Sequence, residues 1–474
     1  MILTLDLGTS RVKAALWESE GLVELAEAAL TTTSPAPGAS EQDAATWWDA
    51  VMGACAALGE RSPGRLDGVE AVSCTGARQT FGLFDATGDP VGPAIVWSDG
   101  RSAEVGDGPD VEDGGRRAVS VVDRLAWVAA TRADQLRRSE WILGPRDRVA
   151  WKLTGEVATD PTMASLTGCY RPDGTVADEV ARLVGDRLPA VVPSETVMGM
   201  VTSDVAASLG LPAGVPVVIG AGDRQCEVLG TDASATVPMV SWGTTANISM
   251  PVGPSPVTPP SGLVSTRAVS GWQLEGGTSA AGSLLSWLST LCGRSPSELA
   301  ELAAASPPGA RGVTAVPWLS GARAPWWRPG ARAGFVGLSN GHGPGDLARA
   351  MFESVARDVQ RCLVRMDARE PAGPGVTELG LAGGAADTPV WIEVLTGTTG
   401  LPVRLRRSGQ AASAGAALLG ARAVDSSWRI DTLDPVVQRC AADPALARFY
   451  ADRVPHDDRV AGMLIDLELP PSCG

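Results

Sequence analysis

The first thirty residues alternate between apolar runs and short polar breaks. Residues 2 to 6 form an apolar, β-rich run, and Val12, Ala14 and Leu16 alternate with Lys13, Ala15 and Trp17. With Gly8-Thr9-Ser10-Arg11 between them, the two segments predict a strand, a tight turn and a returning strand. From Ser40 to Leu58 the apolar positions 44, 47, 48, 51, 52, 55 and 58 follow helical spacing, with Ser40 as the expected N-cap. Strand-like runs follow at 69 to 75, 81 to 84 and 94 to 97. A chain that mixes the two periods in this way predicts an α/β fold with covered sheets.

The opening phrase has an echo near the middle of the chain. The apolar run Val215 to Gly220 leads into Ala221-Gly222-Asp223-Arg224-Gln225, and Pro238 to Trp242 then enters Gly243-Thr244-Thr245. Two halves that each open on strand, Gly-Thr-Ser/Thr and strand predict an internal duplication. The expected boundary lies near residue 235, giving domains 1–234 and 235–474; the Pro-rich stretch 251 to 260 is expected to be a loop inside the second. A third strand and turn, Glu378 to Ala382 with Gly383-Gly384-Ala385-Ala386, precedes a helical stretch from Pro389 to Thr396. Longer helical patterns cover 279 to 292, 346 to 366 and 410 to 424.

Length and charge narrow the chemistry. At 474 residues the chain exceeds what one core ordinarily holds, which implies two domains and a cleft. A net charge of -15 with no basic run excludes nucleic acid and anionic membrane as partners, since both reward dense positive charge. Lys13 and Lys152 are the only lysines, and two histidines leave little for a Ser-His-Asp triad or a His-based metal cluster. The eight cysteines show no Cys-x-x-Cys pair and read as reduced thiols. Neither a basic-then-apolar leader nor an apolar stretch of membrane-spanning length is present, so the expected compartment is cytoplasmic.

Asp6-Leu7-Gly8-Thr9-Ser10 and Gly243-Thr244-Thr245 are turns without bulk. Backbone N–H groups and small hydroxyls there can approach phosphate oxygens, while a carboxylate at the strand end can hold water on a magnesium ion. Each alone also fits an ordinary hairpin turn; the repetition favours a phosphate grip. Asp223 follows an apolar strand and is placed either to accept a proton from an attacking hydroxyl or to cap the helix that begins at Arg224. Trp97 reads as core packing, Asp99 and Arg101 as a loop brace, and Trp326 and Trp327 as a shield over the cleft.

Several of these residues together resemble the FGGY carbohydrate kinases. Ala333-Gly334-Phe335-Val336-Gly337-Leu338, followed after seven residues by Asp346-Leu347-Ala348-Arg349-Ala350-Met351-Phe352-Glu353, is similar to that family's C-terminal signature. Leu319-Ser320-Gly321-Ala322-Arg323-Ala324-Pro325 looks like its Leu-Ser-Gly-Glu-Arg-Thr-Pro element. The Trp97-Ser98-Asp99-Gly100-Arg101 box, Gly222-Asp223 and Gly383-Gly384-Ala385 fall in the family's order, while its first signature is reduced to Arg124-Leu125-Ala126-Trp127. The resemblance implies two actin-like ATPase (ribonuclease H-like) domains hinged about a cleft, with ATP and Mg2+ required. It also implies Asp223 as catalytic base, Asp6 on the metal side, and Arg78, Gln79, Arg224 and Gln225 as substrate contacts. For ATP it implies Gly8, Thr9, Ser10, Gly243, Thr244, Gly282, Ser286, Gly384 and Thr388.

The expected activity is therefore ATP-dependent phosphorylation of a hydroxyl of a small sugar or polyol, a ketopentose such as xylulose or ribulose first. Glycerol, another polyol or a cyclitol follow, because Arg78-Gln79 and Arg224-Gln225 match neither the xylulose kinase nor the glycerol kinase pattern fully. A non-catalytic nucleotide switch on the same fold is the rival from another class. A second copy of the chain, as a homodimer, is the one macromolecular partner entertained.

Overall fold

The computed structural model describes residues 1–104, 120–368, 375–384, 386–424, 427–465 and 467. Ala385 of the third turn lies outside them. Six strands build the first sheet: β1 (Ile2–Leu7), β2 (Arg11–Glu18), β3 (Gly21–Ala29), β4 (Ala71–Gly76), β5 (Val197–Met200) and β6 (Pro216–Gly222), in the order β3-β2-β1-β4-β6-β5. β1 returns antiparallel as β2 across the Gly8 turn and lies parallel to β4, which is parallel to β6. The second sheet holds β7 (Met239–Trp242), β8 (Ala246–Gly253), β9 (Val264–Arg267), β10 (Trp272–Gly277), β11 (Leu379–Ala382), β12 (Val403–Arg406) and β13 (Val436–Cys440), in the order β9-β10-β8-β7-β11-β12-β13. β7 returns as β8 across the Gly243 turn and lies parallel to β11, itself parallel to β12. The run β3-β2-β1-β4-β6 thus recurs as β10-β8-β7-β11-β12, strand for strand and direction for direction, which is the duplication that the repeated turn predicts.

Side-chain alternation along β1 decides what covers the first sheet. Leu3 and Leu5 pack with Trp47, Val51, Cys55 and Leu58 of helix α1 (Thr46–Arg61). The helix starts later than its periodicity suggests. Ser40 does not cap it: residues 41–42 pair with residues 94–95 as a short ladder, and the Ser40 amide donates to Asp99 Oδ2 (2.8 Å).

The opposite face of the sheet is covered from the other half of the chain. Helix α2 (Asp223–Gly230) continues directly from β6; helices α3 (Gly282–Cys292), α4 (Pro344–Asp367) and α5 (Pro389–Thr399) pack on the second sheet around Trp242, Ile248 and Leu274. Helix α6 (Ala411–Arg422) instead lays Ala414, Ala417, Leu418 and Ala421 against Ile2, Ala15, Trp17 and Ala71 of the first sheet. Full burial of a side chain such as that of Ile2 in this cluster stabilises by about 1.5–3 kcal/mol. Polar groups fix the register: Trp17 Nε1 donates to Ser413 Oγ (2.8 Å) and Lys13 Nζ to Gln410 Oε1 (2.8 Å).

In return, α2 of the first half leans Val228 on Met239 and Ala382 of the second sheet. The two exchanged helices cross where only glycine fits: a Cβ at Gly415 would lie 2.0 Å from the Cys226 carbonyl oxygen, and one at Gly230 1.9 Å from that of Ala411. No helix among the described residues is long and apolar enough to cross a membrane.

Candidate active site

Between the two sheets lies a cleft of about 1110 Å³. Thr9 of the first turn, Gly243 and Thr244 of the second, Asp223, Arg78, Gln79 and Arg224 all line it. Its position follows from the duplication: β1, β4, β6 and β7 all end towards it, and ligands of open α/β sheets gather at such carboxyl ends.

The two Gly-Thr turns are held from behind. Thr9 Oγ1 accepts from Trp97 Nε1 (3.1 Å), and its carbonyl accepts from Gln42 Nε2 (2.6 Å). Trp97, expected in the core, lines the cleft instead. In the second turn the Gly243 carbonyl accepts from the Gly282 amide (2.9 Å), and the Thr244 carbonyl from those of Ala281 (3.0 Å) and Ser283 (3.1 Å). This seats the start of α3 on the turn. Gly383 closes the group, with a Cβ there falling 2.2 Å from the Trp242 carbonyl oxygen. Glycines at 282 and 383 thus let three chain segments meet at one point. Gly8 and Asp6 sit just behind the Thr9 turn, and Ser10 and Ser286 are exposed, with Ser286 Oγ donating to the Gly282 carbonyl (3.0 Å). Gly384 is exposed, and Thr388 is the N-cap of α5 without a side-chain cap bond.

Asp223 is the first residue of α2, with Gly222 as its N-cap. Its Oδ1 accepts from the Arg224 amide (2.7 Å), the side chain is 41 % exposed to the cleft, and Arg78 Nε stands 4.0 Å away. Two further carboxyls lie near. Asp6, at the end of β1, is pushed up to about 6 by burial, opposed by Lys13 and aided by Asp223 and Glu27. Glu227, one turn of helix beyond Asp223, accepts from Ser241 Oγ (2.9 Å) and is pushed up to about 7, first by burial and then by the charge of Asp223. Among the described residues no three His, Cys, Asp or Glu side chains could hold a metal by themselves. A carboxyl held near neutrality beside a second carboxylate suits Mg2+, which keeps several waters and leans on one or two carboxylates plus substrate phosphates.

The wall beyond Asp223 is built around Glu275, which no motif or spacing in the chain singles out. It lies on β10 of the second half and is 3 % exposed. Arg78, from the loop after β4 of the first half, donates to both its oxygens (2.9 and 2.6 Å). Thr266, Gln273 and Gln225 donate to it as well. Burial would raise this carboxyl, yet the charges of Arg78 and Arg224 overcome it and hold the group down at about 2. Gln225 is thereby turned under the cleft and does not line it, since two residues along a helix is about half a turn, on the side away from the face that carries Asp223. Arg323 also lines the cleft, its guanidinium 5.9 Å from the Trp97 ring centroid; burial and the charges of Arg224 and Arg78 pull it down to about 10.

The reduced signature Arg124-Leu125-Ala126-Trp127 has a structural purpose. Arg124 is buried and donates to the carbonyls of Asp99 (3.2 Å), Gln79 (2.8 Å) and Trp97 (2.6 Å), tying three cleft loops together. Asp99 and Arg101 form the expected brace (2.7 Å). Gln79, Leu166 and Trp327 all line the cleft with positive φ, half of the six non-glycine residues in that region among the described ones; such backbone strain concentrates at functional sites.

A duplicated α/β fold of two actin-like domains, with paired Gly-Thr turns and an acidic strand end opening on one cleft, defines a phosphate-handling protein of the kinase type. Residues 1–230 match the N-terminal domain of the FGGY family of carbohydrate kinases and residues 239–424 its C-terminal domain, and the chain belongs to that family. It is 31 % identical over 439 residues to the xylulose kinase of Escherichia coli (strain K12), covering 88 % of this chain and 89 % of that one. It is 30 % identical over 487 residues to the glycerol kinase of Alkalilimnicola ehrlichii, covering 95 % of each. The ligand-bound xylulose kinase from Lactobacillus acidophilus shares the fold with a TM-score of 0.87 at 19 % identity, over 98 % of this chain and 99 % of that one. The protein is therefore a carbohydrate kinase that acts on a sugar or polyol with ATP.

Proposed function

We propose that the cleft transfers the γ-phosphoryl group of ATP to a hydroxyl of a small open-chain sugar or polyol about the size of a ketopentose such as xylulose or ribulose, with Asp223 as general base. The acceptor oxygen attacks the γ-phosphorus, the bond to ADP breaks, and the hydroxyl proton passes to the Asp223 carboxylate. Arg78 places a positive charge beside that carboxylate, its Nε 4.0 Å from Asp223 Oδ1. Thr9 and Thr244 with their turn amides hold the phosphates, and Asp6 is the carboxylate that would carry Mg2+ through water. The ion supplies neutralisation of phosphate charge, the main requirement of phosphoryl transfer besides positioning.

The observation that carries the reading is that Asp223, Thr9, Gly243 and Thr244, drawn from both halves of the duplication, line one cleft. Closure of the lobes would exclude water, which otherwise competes with the acceptor for the phosphoryl group. The test is ADP release with ketopentoses, glycerol and other polyols, run beside Asp223→Asn. Removing a positioned base is expected to lower kcat by roughly 10² to 10⁴-fold while ATP binding persists. A variant with near-normal turnover would remove Asp223 from this role.

A further inference from the structure

The wall around Glu275 holds more positive charge than its carboxylate can serve. Both terminal nitrogens of Arg78 are spent on Glu275 (2.9 and 2.6 Å), and Glu275 Oε1 accepts in addition from Thr266, Gln273 and Gln225. Arg224 reaches the same carboxylate only at 3.6 Å, too far for a hydrogen bond, and its Nε is buried without an acceptor. Arg323 stands over Gly277, two residues along β10 and so on the same face as Glu275, with Nη2 3.5 Å from where a Cβ at 277 would sit. Among the described residues no carboxylate lies within ion-pair distance of its guanidinium. The cleft therefore presents two neighbouring guanidinium groups, both lining it, whose donors no protein acid takes up. The other carboxyls at hand are occupied: Asp223 as the proton acceptor, and Glu227 with Ser241.

Accepting the kinase reading above, we propose that the acceptor is an anionic polyol, its carboxylate or phosphate gripped by Arg224 and Arg323 while a hydroxyl elsewhere on its chain reaches Asp223. A planar fork of N–H donors suits either anion in bidentate fashion. A neutral sugar would leave Arg323 unpaired, and Arg224 with only its 3.6 Å ion pair to Glu275 and no hydrogen-bond acceptor, once the closing lobes removed water from them.

The test is ADP release by the full chain on acceptors paired by carbon skeleton. These are xylitol with D-xylonate, glucitol with D-gluconate, and glycerol with both D-glycerate and glycerol 3-phosphate, with D-xylulose alongside. At least one anionic member is expected to exceed its neutral partner in kcat/KM by roughly 10- to 100-fold, the range of a charge-assisted pair of hydrogen bonds. Whether the carboxylates or the phosphate lead identifies the source of the anion. Arg224→Gln and Arg323→Gln should each erase most of that preference through KM, with ATP binding by titration retained as the check that the variants fold. If neutral acceptors equal or surpass every anionic one, the proposal is wrong and the kinase reading stands. If either variant loses kcat equally on all acceptors at constant KM, the arginines serve the transferred phosphoryl group and the proposal again fails. Absence of phosphorylated product from any acceptor, with ATP bound, would sink the kinase reading and this inference together.

Discussion

Replacing Glu275 with glutamine removes the acid that joins the halves across the cleft. The structure gives the size of the effect by two routes. A carboxyl held at about 2 against an ordinary 4.5 in the unfolded chain is worth about 3 kcal/mol at neutral pH, from about 1.4 kcal/mol per pH unit. Breaking a buried ion pair by removing one partner costs about 3–5 kcal/mol, since Arg78 would keep only its looser 4.0 Å contact with Asp223. The two agree because Glu275 is 3 % exposed, so solvent screens the pair little. The sign in pH follows. A depressed carboxyl stabilises fully above its unfolded value of 4.5 and loses that contribution as pH falls from there towards 2. Urea denaturation of the parent and Glu275→Gln at pH 7, 6, 5, 4 and 3.5 should therefore show a gap of about 3 kcal/mol that is constant down to pH 5 and shrinks below 4.5. A gap under about 1 kcal/mol at pH 7, or one that stays constant through the acid range, would refute the account of how the wall is held.

The opposite pH sense is expected of Glu227, whose folded form prefers the proton. Its contribution is present below 4.5 and is lost as pH rises through about 7, so Glu227→Gln should flatten the fall in parent stability between pH 5 and 8, by about 1–3 kcal/mol in thermal or urea melts. Parallel pH profiles for the two proteins would contradict the burial assigned to that carboxyl. At the helix crossing, Gly415→Ala places a methyl 2.0 Å from the Cys226 carbonyl oxygen and should destabilise by at least about 1–3 kcal/mol, read as a lowered Tm by circular dichroism. An unchanged Tm would mean that α2 and α6 are not in close contact.

What was legible in the chain follows from how local each feature is. The strand-turn-strand openings at Gly8 and Gly243 are written in consecutive residues, and so is the helical spacing of 410 to 424. Where that last helix packs is not, because its alanine face fits a sheet formed some four hundred residues earlier as well as its own. Ser40 misled because a two-residue ladder with 94–95 outcompetes a cap, a choice made by partners distant in sequence. Glu275 stayed hidden for the same reason: in Trp272-Gln273-Leu274-Glu275 it reads as a polar strand position, and its partner Arg78 stands in the other half. Gln225 was grouped with Asp223 by adjacency, whereas helical geometry turns it away from the cleft.

The exchange of helices also dictates an order of events during synthesis. The first sheet is complete once β6 has been made, yet the face bearing Trp17 stays bare until α6 follows roughly 190 residues later, a delay of about 10–40 s at ~5–20 residues per second. Throughout that interval the nascent chain carries a greasy, half-finished surface. Slowing translation within the second half should thus prolong chaperone association, and a fragment ending at residue 234 should precipitate.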